Sequence, residues 1–170
     1  AIETLFLVQK EKWSQDIQFI LITGEKDYLW AREKLEKVKI KGKVFPYLSE
    51  IHFALAASDL VVSRSGATTI AEITARGIPA ILVPYPFATN EHQLSNALFL
   101  EERGGAKVIV QRELHPSSLK SAIGSIITDQ ALRDKMREAS RCAGKPEAAK
   151  EVVELILKPV SYTHLRAHET

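Results

Sequence analysis

The chain has little cysteine, little net charge and no long apolar run, and each shortage excludes a class of protein. The single cysteine, Cys142, excludes an internal disulfide and a cysteine-based metal site, and it fits a reducing compartment. A formal net charge of +2 over 170 residues is too small to predict nucleic acid as a partner. Apolar runs such as IQFILI are far shorter than the roughly 20 residues that span a bilayer. Without a signal-peptide pattern, we expect a cytoplasmic protein.

Motifs of catalysis and metal binding are also missing. The sequence has no G-x-S-x-G elbow, no P-loop, no H-E-x-x-H pair and no cluster of carboxylates. We therefore expect no catalytic residue, no metal and no cofactor in this chain. His164 and His168 have the spacing of a helical metal pair, but no third ligand accompanies them. They lie in residues 159–170, which continue no pattern and are expected to be a disordered or non-native tail.

Short apolar runs alternate with amphipathic stretches along the rest of the chain. The runs predict strands at about residues 17–22, 43–45, 59–63, 80–83 and 107–110, and helices separate them. Unbroken apolar strands that alternate with helices are typical of a parallel sheet covered on both faces. We predict an α/β fold, a Rossmann-like parallel sheet with helices on both faces, over residues 1–158.

Capping residues predict where several helices begin and end. Asp27 is expected to cap a helix that runs to about Val38, with Leu29, Trp30 and Leu35 on its inner side. Gly42 should separate that helix from the next strand. Ser49 is expected to cap the following short helix. Another helix should run from about Thr68 to Arg76 and end at Gly77.

The turn Ser63-Arg64-Ser65-Gly66-Ala67-Thr68-Thr69 follows a predicted strand and opens a helix. Ligands of parallel α/β sheets bind beyond the carboxyl ends of the strands. Small residues let a ligand approach the backbone, and the free N–H groups of a helix N-terminus attract anions. The hydroxyls of Ser65, Thr68 and Thr69 add donors. The pattern predicts a phosphate or diphosphate site at this turn.

Glu72, inside the same helix, has two interpretations that the spacing alone leaves even. Its carboxylate can accept two hydrogen bonds from a vicinal diol, as an acidic residue does for ribose in dinucleotide folds. Alternatively, Thr69-Ile70-Ala71-Glu72 is a T-x-x-E capping box.

The segment from Pro84 to Gln93 follows the next strand and lines the same edge of the sheet. Asn90 is a candidate cap for the helix after it. His92 and Gln93, in the first turn of that helix, can donate to a sugar, although the residues alone favour an ordinary surface or packed position for His92. Arg64 is expected to pair with a carboxylate rather than with a ligand.

These residues carry a resemblance to a known family. The run ASDLVVSRSGATTIAE (57–72), then GIPA (77–80), VPYP (83–86), NEHQ (90–93) and Asn96-Ala97, resembles the MurG family of GT-B glycosyltransferases. The resemblance covers about residues 1–157 and corresponds to the C-terminal, donor-binding half. It implies an inverting enzyme that transfers GlcNAc from UDP-GlcNAc to lipid I, forming lipid II in peptidoglycan biosynthesis, and thereby serves the cell wall, cell shape and cell division.

The resemblance also implies roles for individual residues. The diphosphate of UDP contacts Ser65, Gly66, Ala67, Thr68 and Thr69. Glu72 binds the ribose hydroxyls, and His92 and Gln93 contact the GlcNAc hydroxyls. The main chain of Tyr47 and Leu48 lies against the uracil.

The resemblance further implies that parts of the enzyme lie outside this chain. The family's G-G-S-x-G-A phosphate loop is expected immediately before Ala1. The acceptor site, the base and the membrane-facing patch are expected in a missing N-terminal half. The fragment alone should therefore be inactive, and the whole enzyme peripheral, on the cytoplasmic face of the bacterial inner membrane.

Two alternatives remain open from the sequence. The chain could belong to another GT-B transferase that makes a glycolipid from a UDP-sugar. It could also be a stand-alone UDP-sugar-binding subunit that works with a membrane-anchored partner chain.

Overall fold

A computed structural model of the chain describes residues 2–87 and 92–158. Over these ranges the strands are β1 (Gln18–Ile22), β2 (Lys41–Phe45), β3 (Val61–Ser63), β4 (Ala80–Leu82) and β5 (Ala106–Val108). The helices are α1 (Ile2–Val8), α2 (Glu25–Leu35), α3 (Ile51–Ala56), α4 (Ala67–Arg76), α5 (His92–Glu102), α6 (Pro116–Ile127), α7 (Gln130–Ala143) and α8 (Ala148–Leu157). Asn90, His164 and His168 lie outside the described residues, as does the predicted tail.

The strands pair in parallel and helices pack around them, so the predicted Rossmann-like α/β class is confirmed. The strands of the described residues form two sheets rather than one. β1 pairs with β2 in the first, and the second has the order β3-β4-β5. Parallel pairing places the carboxyl ends of β3 and β4 side by side, because Ser63 lies opposite Leu82.

Strand β4 is the centre of the three-stranded sheet and is buried on both faces. Ala80 and Leu82 pack with residues of α4 and α5 such as Ile73 and Leu100. Ile81 faces the other way, into the core formed with α6 and α7. Because successive side chains of a strand point to opposite faces, an all-apolar strand needs a core on each side.

Strand β1 is covered on one face only, which differs from the expected continuous burial. Phe19 and Leu21 pack against the core of α1 and α2, which contains Val8 and Leu35. Ile20 and Ile22 point the other way, and their side chains are 49% and 42% exposed. The described residues place no second layer on that face.

The predicted start of α2 was wrong, and the predicted inner face was right for Leu35 and wrong for Leu29 and Trp30. The helix begins at Glu25, with Gly24 as N-cap at φ 78°, so Asp27 lies inside the first turn. Leu29 and Trp30 are 67% and 54% exposed, and Ala31 and Leu35 are the buried residues. Ala31 and Leu35 are four residues apart and therefore share one face of the helix.

Two further boundary predictions were also wrong. The helix ends at Leu35, and Gly42 lies within β2, opposite Phe19, whose ring occupies the space that a side chain at Gly42 would need. The next helix, α3, begins at Ile51 with Glu50 rather than Ser49 as its N-cap. The predicted end of α4 at Gly77 is confirmed, with φ 64°.

Helix α6 joins the two sheets through its packing on α1. Lys120 Nζ lies 2.6 Å from Glu11 Oε1, and the Trp13 indole lies against Gly124 of α6. Within the described ranges, no helix has the length and apolar character that crossing a membrane requires.

Candidate functional site

Two connecting segments meet at the carboxyl edge of the three-stranded sheet. The turn Arg64–Gly66 follows β3, and residues 83–87 follow β4. Because β3 and β4 are neighbouring parallel strands, both segments lie on the side of the sheet where α/β proteins bind ligands.

Helix α4 presents free main-chain amides at this edge. It begins at Ala67, one residue earlier than predicted, with Gly66 as N-cap at φ −63° and ψ 150°. The first intrahelical bond runs from the Ile70 N–H to the Gly66 carbonyl, at 2.9 Å. The amides of residues 66–69 therefore have no intrahelical partner, and within the described ranges no other protein group accepts from them. Such amides, with the positive end of the helix dipole, favour an anion.

Ser65 is fully buried below this helix end. Its Oγ donates to the Gln93 carbonyl at 2.7 Å. The Ser65 hydroxyl thus fastens the turn to α5, so this geometry does not present it to a phosphate as predicted. Thr68, by contrast, is exposed and Thr69 half-buried, so the hydroxyl donors available at the helix end come from these two residues.

Two side-chain amides brace the same region. Asn96 Nδ2 donates to the Ser65 carbonyl at 3.1 Å, and Gln93 Oε1 accepts from the Tyr85 N–H at 3.0 Å. The structure therefore brings Gln93 to the predicted turn. Sequence reasoning missed Asn96 as a site residue, although its place in the Gln-x-x-Asn-Ala pattern was visible.

Arg64 connects the ends of β3 and β4, and the predicted carboxylate partner was wrong. Its Nη1 donates to the carbonyls of Val83 and Pro84, at 3.1 and 3.3 Å. Its guanidinium also lies 5.5 Å from the centre of the Tyr85 ring. Within the described ranges, the partners of this exposed guanidinium are thus two main-chain carbonyls and an aromatic ring.

Glu72 is exposed on α4, and the capping-box interpretation is wrong. Since Gly66 is the N-cap, Thr69 already occupies the third helical position and cannot cap with Glu72. Within the described ranges, Glu72 makes no ion pair and no side-chain hydrogen bond. Residues three and four apart share a helix face, so Glu72 lies on the face of Thr68 and Thr69. Its carboxylate is free to accept from a ligand beside the amide cluster.

The remaining predicted residues make no hydrogen bond with the turn in the described structure. His92 is exposed at the first described position of α5. Leu48 is half-buried and Tyr47 exposed, in the segment that follows β2. This segment leads into α3, which packs on α4.

Two cavities, of about 480 and 420 Å³, lie away from the turn Arg64–Gly66, one between α2 and β2 and the other between α1, β1 and the start of α6. The described residues contain no group of three acidic, His or Cys side chains that could hold a metal. Cys142 is also remote from the turn, and its hydrogen bond with Glu138 raises the pKa of its thiol.

Comparisons with known proteins agree on one family. Residues 1–152 match the family described as glycosyltransferase family 28 C-terminal domain. The chain is 42% identical over 140 residues to a UDP-N-acetylglucosamine–N-acetylmuramyl-(pentapeptide) pyrophosphoryl-undecaprenol N-acetylglucosamine transferase of Caldicellulosiruptor saccharolyticus, covering 81% of the chain and 38% of the relative. It is 50% identical over 115 residues to the transferase of the same name from Desulforudis audaxviator, covering 68% of the chain and 31% of the relative.

A solved structure gives the same result. The chain superposes on Acinetobacter baumannii MurG with a TM-score of 0.75 at 27% identity, covering 84% of this chain and 43% of that one. The chain thus spans about two fifths of the length of the proteins it matches.

Proposed function

Because the chain belongs to the glycosyltransferase family 28 C-terminal domains, we propose that it is the UDP-sugar-binding domain of an N-acetylglucosaminyltransferase. The observation that carries this proposal is the cluster of free amides at residues 66–69, braced at the carboxyl edge of β3 and β4. A nucleoside diphosphate is an anion whose oxygens match several N–H donors at once.

The diphosphate of UDP accepts hydrogen bonds from the amides of residues 66–69 and from the hydroxyls of Thr68 and Thr69. Negative charge grows on this diphosphate as the bond to the sugar breaks. Fixed N–H donors and the helix dipole stabilise that charge most strongly in the transition state, and this lowers the barrier to departure of UDP. The positive end of α4 supplies the charge that a metal ion would otherwise provide.

Glu72 binds the nucleoside beside the diphosphate. Its free carboxylate accepts hydrogen bonds from the two ribose hydroxyls, on the helix face that it shares with Thr68 and Thr69. The main chain at Leu48 contacts the uracil, since the segment after β2 leads to α3 and α3 packs on α4.

Gln93 and His92 contact the GlcNAc hydroxyls from the start of α5. The Tyr85 N–H holds Gln93 Oε1, so the Nε2 donors of that amide remain for the sugar. His92 is exposed and can donate or accept.

The whole enzyme of which this domain forms part transfers GlcNAc to lipid I with inversion and produces lipid II for peptidoglycan. The names of the relatives, which specify UDP-N-acetylglucosamine and a pyrophosphoryl-undecaprenol acceptor, support this proposal. The acceptor site, the base and the attachment to the cytoplasmic face of the bacterial inner membrane belong to polypeptide outside this chain. Through lipid II the enzyme serves cell-wall growth, cell shape and division. The chain by itself binds donor without turnover.

An NMR titration of the ¹⁵N-labelled chain tests the donor assignment. UDP-GlcNAc and UDP are expected to shift the amide signals of residues 66–69 in a saturable manner, and GDP-mannose to shift them far less. Gln93→Ala should weaken binding of UDP-GlcNAc relative to UDP, because the sugar loses a contact that UDP does not make. The Tyr85 N–H also loses its acceptor, but this change is common to both ligands. Equal responses to uridine and guanosine nucleotides, or none to either, would reject the proposal.

A further inference from the structure

We infer that Asn96 is a positioning residue, which fixes the plane of the Ser65–Gly66 peptide and thereby aims the Gly66 amide at the bound diphosphate. The inference rests on the function proposed above. It assigns a role to a side chain that lies one helical turn beyond the residues that contact the sugar.

The geometry of one peptide bond carries the argument. Asn96 Nδ2 donates to the Ser65 carbonyl at 3.1 Å. This peptide bond is trans, so its carbonyl and the N–H of Gly66 point in opposite directions. With the carbonyl held toward α5, the Gly66 N–H points away from α5, at the start of α4. That N–H belongs to the first of the four free amides, since Gly66 is the N-cap.

Side-chain packing at Gly66 does not fix the backbone angles of this residue. A side chain at Gly66 would meet only Thr69 Oγ1, at 3.9 Å, so no close contact at the Gly66 Cα restrains the peptide plane. Glycine also has a wide choice of backbone angles, and rotation about the bonds that flank the peptide would turn the N–H away from a ligand. The hydrogen bond from Asn96 supplies the restraint that the glycine lacks.

A second hydrogen bond fixes the position of the turn relative to α5. Ser65 Oγ donates to the Gln93 carbonyl at 2.7 Å, three residues before Asn96. The turn and α5 thus each use a side chain to bind the main chain of the other. Ser65 is fully buried, so breaking this pair would leave polar groups without water. The pair couples the amide cluster on α4 to the helix that carries His92 and Gln93.

The test compares two substitutions that remove the donor with a matched control. Asn96→Ala removes the side chain, and Asn96→Leu keeps its branching at Cγ without the N–H. Ser95→Ala is the control, because Ser95 is the exposed neighbour on the same helix. Each labelled variant is titrated with UDP, and its amide signals and melting temperature are recorded.

We expect both Asn96 variants to bind UDP roughly tenfold more weakly, the effect of losing one well-placed donor. At saturation the Gly66 amide signal should no longer shift, whereas those of Thr68 and Thr69 still shift. Ser95→Ala should behave as the unaltered chain does. A lower melting temperature is compatible with either role, since the Ser65 carbonyl loses a donor. A purely structural brace predicts that the shifts of all four amides shrink together, and that result would overturn the inference.

The outcomes separate this inference from the proposed function. An unaltered chain that shows no UDP response rejects both. A normal UDP response, with the Gly66 shift retained in the Asn96 variants, rejects the positioning role alone. If neither variant folds, a measurement on the unaltered chain tests the inference instead. With UDP bound, NMR should detect a scalar coupling across the hydrogen bond, between Asn96 Nδ2 and the Ser65 carbonyl carbon. Its absence rejects the inference.

Discussion

At the scale of single residues, Glu72 is the sharpest test of the nucleoside contact. Glu72→Ala should weaken UDP binding by about 10- to 150-fold, because hydrogen bonds to a charged group contribute roughly 1.5–3 kcal/mol. The melting temperature should stay unchanged, since the side chain is exposed and no capping box depends on it. Calorimetry with UDP measures the loss, and Glu102→Ala, exposed at the far end of α5, is the control. Unchanged affinity would remove Glu72 from the site.

Cys142 gives a second prediction at this scale. Its Sγ lies 3.5 Å from Glu138 Oε1, and the hydrogen bond to Glu138, aided by the negative charge, raises the pKa of the thiol. A raised pKa leaves less thiolate at a given pH, so alkylation by iodoacetamide should be slow and its pH profile shifted upward. Glu138→Gln removes the charge and should accelerate the reaction. Equal rates in the two proteins would contradict this account; Cys142 is the chain's single cysteine, so no second thiol interferes.

The sequence predicted which residues form the turn better than it predicted their bonds. Small residues after a strand and before a helix were enough to locate the amide cluster around Gly66. The partners of Ser65 were not predictable, because Gln93 and Asn96 lie 28 and 31 residues further along the chain. The sequence does not show whether a serine is buried or exposed. Ser65 is buried and bonded to α5, and this depends on how α5 packs on the turn.

At the scale of elements, the position of α4 depends on its far end as well as on its amide cluster. Gly77 ends the helix at φ 64°, and a Cβ there would lie 3.0 Å from Arg141 Cβ and 3.1 Å from the Arg137 carbonyl oxygen of α7. Gly24 also has positive φ, at 78°, but a Cβ there would meet nothing within 4 Å. The two glycines therefore differ in packing and not in the sign of φ.

We expect Gly77→Ala to lower the free energy of unfolding more than Gly24→Ala does. Gly77→Ala carries backbone strain of about 1–2 kcal/mol, because Gly77 lies in the left-handed helical region. Gly24, at φ 78° and ψ 159°, lies in a region that is essentially restricted to glycine, so Gly24→Ala carries about 1–3 kcal/mol. Only Gly77→Ala adds overpacking, which typically costs a further 1–3 kcal/mol. Urea denaturation of the two variants measures the difference. If both variants lose the same free energy of unfolding, the close packing of α4 on α7 does not contribute to the stability of the helix.

Helix boundaries show why the elements were easier to predict than their ends. The alternation of apolar runs located the five strands, because burial imposes that pattern. Gly24, rather than Asp27, opens α2 since its positive φ suits the turn after β1, and glycine adopts that angle without steric cost. Gly42 looked like a helix terminator, yet its lack of a side chain makes room for the Phe19 ring.

At the scale of the whole molecule, the described strands leave four open sheet edges, at β1, β2, β3 and β5. β1 pairs only with β2, and β3 only with β4, within residues 2–87 and 92–158. Ile20, Ile22 and Val62 on these strands are each more than two fifths exposed. The sequence predicted parallel strands correctly. It could not predict their separation into two sheets, because apolar runs do not say which strands become neighbours.

These open edges predict that the isolated chain self-associates. Unpaired N–H and C=O groups beside exposed apolar side chains readily pair with another chain. Sedimentation velocity over a range of concentrations should show association, and Ile20→Lys should reduce it without lowering the melting temperature. Ile156→Lys is the matched control, since Ile156 is 74% exposed on α8, away from any strand. Suppression by Ile156→Lys instead would identify α8 as the associating surface.

The most direct test of the central claim is a crystal structure of the chain with UDP. We expect the diphosphate oxygens within about 2.7–3.2 Å of the amide nitrogens of residues 66–69, with the ribose beside Glu72. Well-ordered UDP at another place, such as the cavity between α2 and β2, with those four amides facing only solvent, would contradict the claim.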